Sequence, residues 1–156
     1  MADKGLEAEG LRLHADHVLR VQSHMGTMIH ILTDMLVAHD QSKYGEDEID
    51  LIVGKPKLNA TPYGTSEYSA ALESVKAGVQ SHYHHNRHHP EHHVNGICDM
   101  NLFDILEMLA DWKAAGEQNQ GTIEKSFEVN AERYSIPPTV LAILWNTVLA
   151  LGWNRG

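Results

Sequence analysis

Seven of the chain's twelve histidines fall within the twelve residues His82 to His93, in the string HYHHNRHHPEHH. Neutral imidazole is the commonest protein ligand for zinc, iron, nickel and copper, so the cluster is a metal-site candidate. Upstream stands His39-Asp40, in VAHDQSKYG. Neighbours on a helix diverge by about 100°, so both can face one point only if the helix ends there. The Ser-Lys-Tyr-Gly that follows supports such an ending. Downstream, NLFDILEMLADWKAAG carries Asp104, Glu107 and Asp111 at i, i+3 and i+7, which is one helical stripe. The rest of that segment is largely apolar. The stripe therefore reads as carboxylates reaching into a polar pocket, against the plainer alternative of a solvated acidic face.

These pieces need elements to hold them. With 156 residues the chain is long enough to bury a core as one domain, and 42% apolar with 21% charged residues is ordinary for a globular protein. A net charge of −9 argues against a general nucleic-acid binder, though a metal can invert the charge of a pocket for a small anion. One cysteine, Cys98, excludes an intramolecular disulfide and suits a reducing compartment. The opening MADKGLEAEG lacks the apolar core of a signal peptide, and no run reaches a membrane span. A cytoplasmic location is expected, host cytoplasm if the chain is phage-encoded, with no membrane or nucleic-acid partner.

No alternating strand pattern stands out, and the periodicity is helical throughout. A flexible start over 1–5 gives way to an apolar stripe that includes Leu13, Val18, Val21, Met25, Met28, Leu32 and Leu36. His17 lies on or beside it. On one straight helix His17 and His39 would stand about 33 Å apart, so a shared site needs a break, best placed between Ser23 and Thr27. A short acidic helix near Glu46–Val53 is followed by a Gly-, Pro-, Asn- and Thr-rich loop. Thr65 or Ser66 caps a helix to about Tyr83, with Tyr68, Leu72, Val75 and Val79 inward. Pro90 breaks the chain and biases His89 to an extended conformation. NGICDM reads as a turn. Asp99 or Asn101 caps a helix through Ala115, ended by Gly116, and two more helices follow at Thr122–Tyr134 and Pro138–Leu151. The last is apolar on nearly all sides and suits a core helix or a homo-oligomer contact. His14, His24 and His30 read as surface or packing histidines, and His93 as a residue at a helix-free edge that nothing singles out.

LVAHDQSKYG resembles a signature segment of the HD-domain superfamily, all-α metalloenzymes that are mostly phosphohydrolases. The resemblance implies a first histidine at His17 in HVLRV, the pair His39 and Asp40, and a final aspartate at Asp111 in EMLADW. In the two-metal branch further histidines come from the region where His82 to His93 lies. The chain lacks the superfamily's glycine between the pair and the lysine; Gln41-Ser42 stands there instead. From roughly His17 to Asn146 it is also similar to an uncharacterised phage and bacterial family of unknown-function domains, through HVLRV, HDQSK, NRHHPEHH, NGICDMNLFDILEMLADWKAA and SFEVNAERY. That likeness favours His82, His88, His89 and His92 over His84 and His85.

The expectation is therefore an all-α, HD-like bundle of about six helices, one metal-binding domain over 1–156. Its metal ligands would be His17, His39, Asp40, His82, His88, His89, His92 and Asp111, for one or two ions of Mn, Fe, Co, Ni or Zn. Asp40, Lys43 and Glu107 would act in catalysis, Glu107 as a base or as an orienter of ligands. Lys43, Arg87 and Arg133 would hold the oxygens of a small anionic substrate. The resemblance implies hydrolysis of a small phosphate ester, a nucleotide by analogy. Two other readings stay open: a di-iron oxygenase with the same ligand types, and a non-catalytic metal-binding module.

Overall fold

In a computed structural model of the chain, residues 4–61, 65–118 and 121–154 are described. Six α-helices and no strand occur among them: α1 Lys4–Ala38, α2 Ile49–Ala60, α3 Ser66–His85, α4 Leu102–Gln118, α5 Ile123–Arg133 and α6 Pro138–Leu151. The all-α expectation holds. The chain divides into two units, Met1–Ala38 and His39–Gly156.

The first unit is α1 alone, 35 residues without interruption. The break expected between Ser23 and Thr27 is absent. Gly26 costs about 1 kcal/mol against alanine in a helix, too little to stop one this long. Thr27 also donates its hydroxyl to the Ser23 carbonyl at 3.3 Å, a bond made within a continuing helix. His17 thus lies 21 residues before the helix ends at Ala38, about 31 Å along its axis.

In the second unit, the core gathers on α4, α5 and α6. Met108, Leu109, Ile123, Leu144 and Val148 are essentially fully buried, with Ile97, Met100 and Ile136 closing the cluster. Trp112 stands edge-on to Phe127 and stacks on Tyr134. Caps set the ends. Asn101 Oδ1 accepts from Phe103 N at 2.8 Å and Asp104 N at 3.1 Å to start α4. Thr122 accepts from Lys125 N to start α5, and Gly152 in the left-handed region (φ +69°) closes α6. Gly116 does not end α4, which continues to Gln118.

The loop expected after Val53 is corrected in its first half. α2 runs through Gly54 and Pro56 to Ala60, while residues 62–64 of that expected loop lie outside the described residues. Packing against α3 explains why these letters misread. A Cβ on Gly54 would overlap the Cγ1 methyl of buried Val75, and one on Gly78 of α3 would come within 3.1 Å of Leu51. Each glycine lets the other helix approach; neither marks a turn. Pro56 forfeits one helical hydrogen bond within this packed pair. Gly54→Ala is accordingly expected to destabilise the protein by about 1–3 kcal/mol despite alanine's better helix propensity, because the β-branched Val75 has little rotamer freedom to yield. Chemical denaturation measures this; an unchanged or raised midpoint would count against the close α2–α3 approach.

Candidate metal centre

Six segments of the second unit converge on one cluster. His39 and Asp40 follow directly on Ala38, where α1 ends. Asp40 adopts φ +56°, ψ 14°, a left-handed conformation that aspartate tolerates better than most residues. That turn removes the helical divergence, and His39 Nε2 and Asp40 Oδ2 stand 3.5 Å apart. A 3₁₀ turn, Gln41–Tyr44, then returns Lys43 to donate its ammonium to Asp40 Oδ2. His82 comes from the last turn of α3. His88 and His89 come from the loop after it, where His89 is extended ahead of Pro90 as expected. Glu107 and Asp111 come from α4, and Glu48 from the residue before α2.

The hydrogen bonds fix which atoms face inward. His82 Nδ1 donates to Glu48 Oε2 at 2.9 Å, which leaves its Nε2 as a bare lone pair. His88 Nδ1 lies 3.3 Å from Glu107 Oε1, with the same consequence. His39 Nδ1 donates to that same oxygen at 2.8 Å. The inward atoms then meet. Asp40 Oδ1 is 3.3 Å from His82 Nε2 and 3.6 Å from His88 Nε2, and His82 Nε2 is 2.9 Å from His89 Nε2. Asp40 Oδ1 and His88 Nε2 are buried without a hydrogen-bond partner. Buried lone pairs pointing at one another without a donor are costly, and a cation is the group that satisfies them together. Ligand atoms about 2.1 Å from one ion stand roughly 3.0–3.5 Å apart, so these separations fit a first-row metal.

Two donor groups result, each with its atoms within 4.8 Å of one another: Asp40, His82, His88 and His89; and His39, Asp40 and Asp111. Asp40 is common to both. His39, His88 and Glu107 also lie close together, but the Nδ1 bonds make Glu107 the carboxylate that orients two imidazoles.

The electrostatics agree with these roles. Burial opposes ionisation of Glu107, yet bonds from His39 and His88 outweigh it and hold its carboxyl at about 2. That corrects the reading of Glu107 as a general base, since so acidic a group takes up no proton near neutral pH. Glu48 is likewise held low: burial opposes, and bonds from His82, Ser42 and His85 prevail. Asp40 is pressed upward by burial but held below its ordinary value by the Lys43 bond and charge. Burial lowers His82, and burial with neighbouring His88 and His82 lowers His89 to about 3. Both imidazoles are therefore neutral and ready to ligate. His39 differs: the Glu107 bond, against burial, raises its pKa, and Asp40, Glu107 and Asp111 add to the rise. A raised pKa keeps the proton on His39 to higher pH, so an ion bound at His39, Asp40 and Asp111 must displace it. Ion uptake there is expected to strengthen as pH rises and to release the His39 proton. Titration calorimetry at about pH 6.5, the ordinary histidine midpoint, in buffers of different ionisation enthalpy reads this. Metal binding with no proton release in any buffer at that pH would count against a protonated His39.

Several expected residues are not brought in. His17 sits on an exposed face of α1 and belongs to none of the donor groups, because a straight helix holds it about 31 Å from Ala38. His92 donates Nδ1 to the Tyr83 carbonyl at 3.1 Å and is outside both groups. Arg87 was expected to hold phosphate; it makes a two-point bond to buried Asp104 at 3.2 and 2.9 Å. Arg133 pairs with Glu91 Oε1 at 2.7 Å and lies over the Tyr134 ring. Both arginines are committed to nearby carboxylates. His85, set aside as a ligand, bonds Glu48 Oε1 at 3.0 Å.

The residue missed from sequence is Glu48. It is 1% exposed and accepts from His82, His85 and Ser42. Asn86 in turn donates to the Ser42 hydroxyl at 2.7 Å. Glu48 stands in the run GEDEID, and no spacing rule separates it there from Glu46, Asp47 or Asp50.

Fold and site thus define an all-α protein with a buried His/Asp/Glu cluster able to hold a metal ion. The chain belongs to a family of unknown function, DUF5662, which matches residues 7–149. No curated protein and no solved structure matches it. Among the described residues, no helix is long and apolar enough to cross a membrane.

Proposed function

We propose that this protein is a metal-dependent phosphohydrolase acting on a small phosphate ester. The observation that carries the reading is the inward convergence of Asp40, His82, His88 and His89, with Glu48 and Glu107 fixing the tautomers from behind. Neutral nitrogen donors with one shared carboxylate suit Mn, Fe, Co, Ni or Zn. The resemblance of LVAHDQSKYG to HD-type phosphohydrolases points to phosphate as the electrophile. A divalent ion held there would act as a Lewis acid and acidify a bound water. The chain's own groups do the rest. Burial keeps His82 and His89 neutral, while Glu48 holds the orientation of His82 and Glu107 that of His39 and His88. Lys43 offsets the Asp40 charge and supplies an ammonium for a phosphate oxygen.

The test is metal analysis of the purified protein, followed by phosphate release from a panel of monoesters with each ion restored in turn. Release that requires one of these ions and disappears in Asp40→Asn supports the proposal. Two bound irons with a visible absorption band and oxygen consumption, without phosphate release, would replace it with the oxygenase reading. Stoichiometric metal with no turnover of any ester would leave a non-catalytic metal-binding module.

A further inference from the structure

A cavity of about 750 Å³ opens between α2 and α3, within the range of small-molecule sites. Its walls are apolar: Leu51, Ile52 and Pro56 from α2, and Leu72, Val75 and Val79 from α3. His82, His89 and Lys43 line the same cavity, and they belong to the donor cluster or bond directly to it. Leu72, Val75, Val79 and His82 fall at i, i+3, i+7 and i+10 along α3, so they form one stripe. The stripe covers about 15 Å, the reach of a chain of roughly ten carbons. The further polar groups on its wall are few: Lys55 and Gln118, bonded to each other at 3.0 Å, and Tyr83.

We infer that the substrate is an amphiphile: an apolar body of alkyl character lies along α2 and α3, and its anionic head reaches Lys43 and the histidines. The inference rests on the phosphohydrolase reading for the identity of the head, a phosphate monoester. Charge selects the head: Lys55 is bonded only to the neutral amide of Gln118 among the cavity's lining residues, and Lys43, although paired with Asp40, keeps two of its three N–H donors for an anion. Shape and polarity select the body. A nucleoside would bring ribose hydroxyls and base edges to a wall that leaves most of them unpaired, at a cost in desolvation. An alkyl chain meets aliphatic side chains along its length.

The experiment uses the full metal-loaded chain and has two independent readouts. The first is calorimetric binding of butyl-, octyl- and decylphosphonate, which cannot be hydrolysed, each below its micelle concentration. Affinity is expected to rise about threefold per methylene, and so by about 700-fold over the six methylenes from butyl to decyl. Leu72→Asp, at a half-exposed wall position, is expected to cut that ratio about tenfold, with circular dichroism confirming the helices. The second readout is phosphate release from butyl and decyl phosphate and from nucleoside monophosphates. Chain-length-dependent binding with no release from any ester would keep the amphiphile inference and remove the phosphohydrolase reading. Hydrolysis of nucleoside monophosphates with flat chain-length dependence would do the reverse. Decyltrimethylammonium binding as tightly as decylphosphonate would overturn the anionic head.

Discussion

Asp40→Asn is expected to lower metal affinity by more than about 100-fold, a larger loss than the 10–100-fold typical of residues that only orient ligands. Asp40 is the residue shared by both donor groups, so one substitution removes a ligand from each. Asparagine is nearly isosteric and is among the few residues that tolerate the left-handed backbone found here (φ +56°). The turn that carries His39 into the cluster should therefore survive. What changes is charge and donor capacity. The carboxylate that faces His82 and His88 at 3.3 and 3.6 Å becomes a neutral amide, and Lys43 loses its anionic partner. Equilibrium dialysis with metal analysis, alongside circular dichroism, measures the effect. Full metal occupancy in a folded Asp40→Asn protein would rule out the cluster as a metal centre.

The second large effect is expected from Glu48→Gln: a 10–100-fold loss of metal affinity from a residue that touches no ion. Glu48 accepts from His82, His85 and Ser42 while almost wholly buried. Glutamine offers one acceptor oxygen and an NH2 group, so at least one of these donors faces another donor. If that is His82, its hydrogen moves to Nε2 and occupies the lone pair aimed at Asp40. A buried donor left unpaired also costs about 1–3 kcal/mol of stability. Glu46→Gln, at an exposed position two residues earlier, is the control and should change neither quantity. Metal titration and chemical denaturation of the two variants decide the matter; equal affinities for Glu48→Gln and the unaltered protein would mean that Glu48 does not set the His82 tautomer.

The contrast between these two acidic residues shows where sequence reasoning reached its limit. Asp40 was legible because it follows a histidine, precedes a lysine by three and sits where helical signals stop. Glu48 was not, because its role depends on burial against α3, and four acidic residues crowd the same six positions. The carboxylates of α4 lie between these cases. Their i, i+3, i+7 spacing put Asp104, Glu107 and Asp111 on one stripe of an apolar helix. The partners along that stripe differ, an arginine for Asp104, two imidazoles for Glu107 and the His39–Asp40 pair for Asp111, and they arrive from other segments.

Local chemistry written in the chain therefore determined the helices, most caps, the break at Pro90 and the residue types of a metal centre. Those depend on propensity, capping and periodicity, which act over a few residues. Tertiary packing decided the rest. It admitted Gly54 and Pro56 into a helix, because glycine allows α2 to approach α3 where a side chain would collide. It also chose among seven clustered histidines: Glu48 and Glu107, distant in sequence, turn His82 and His88 inward, and the extended backbone ahead of Pro90 brings His89 beside them.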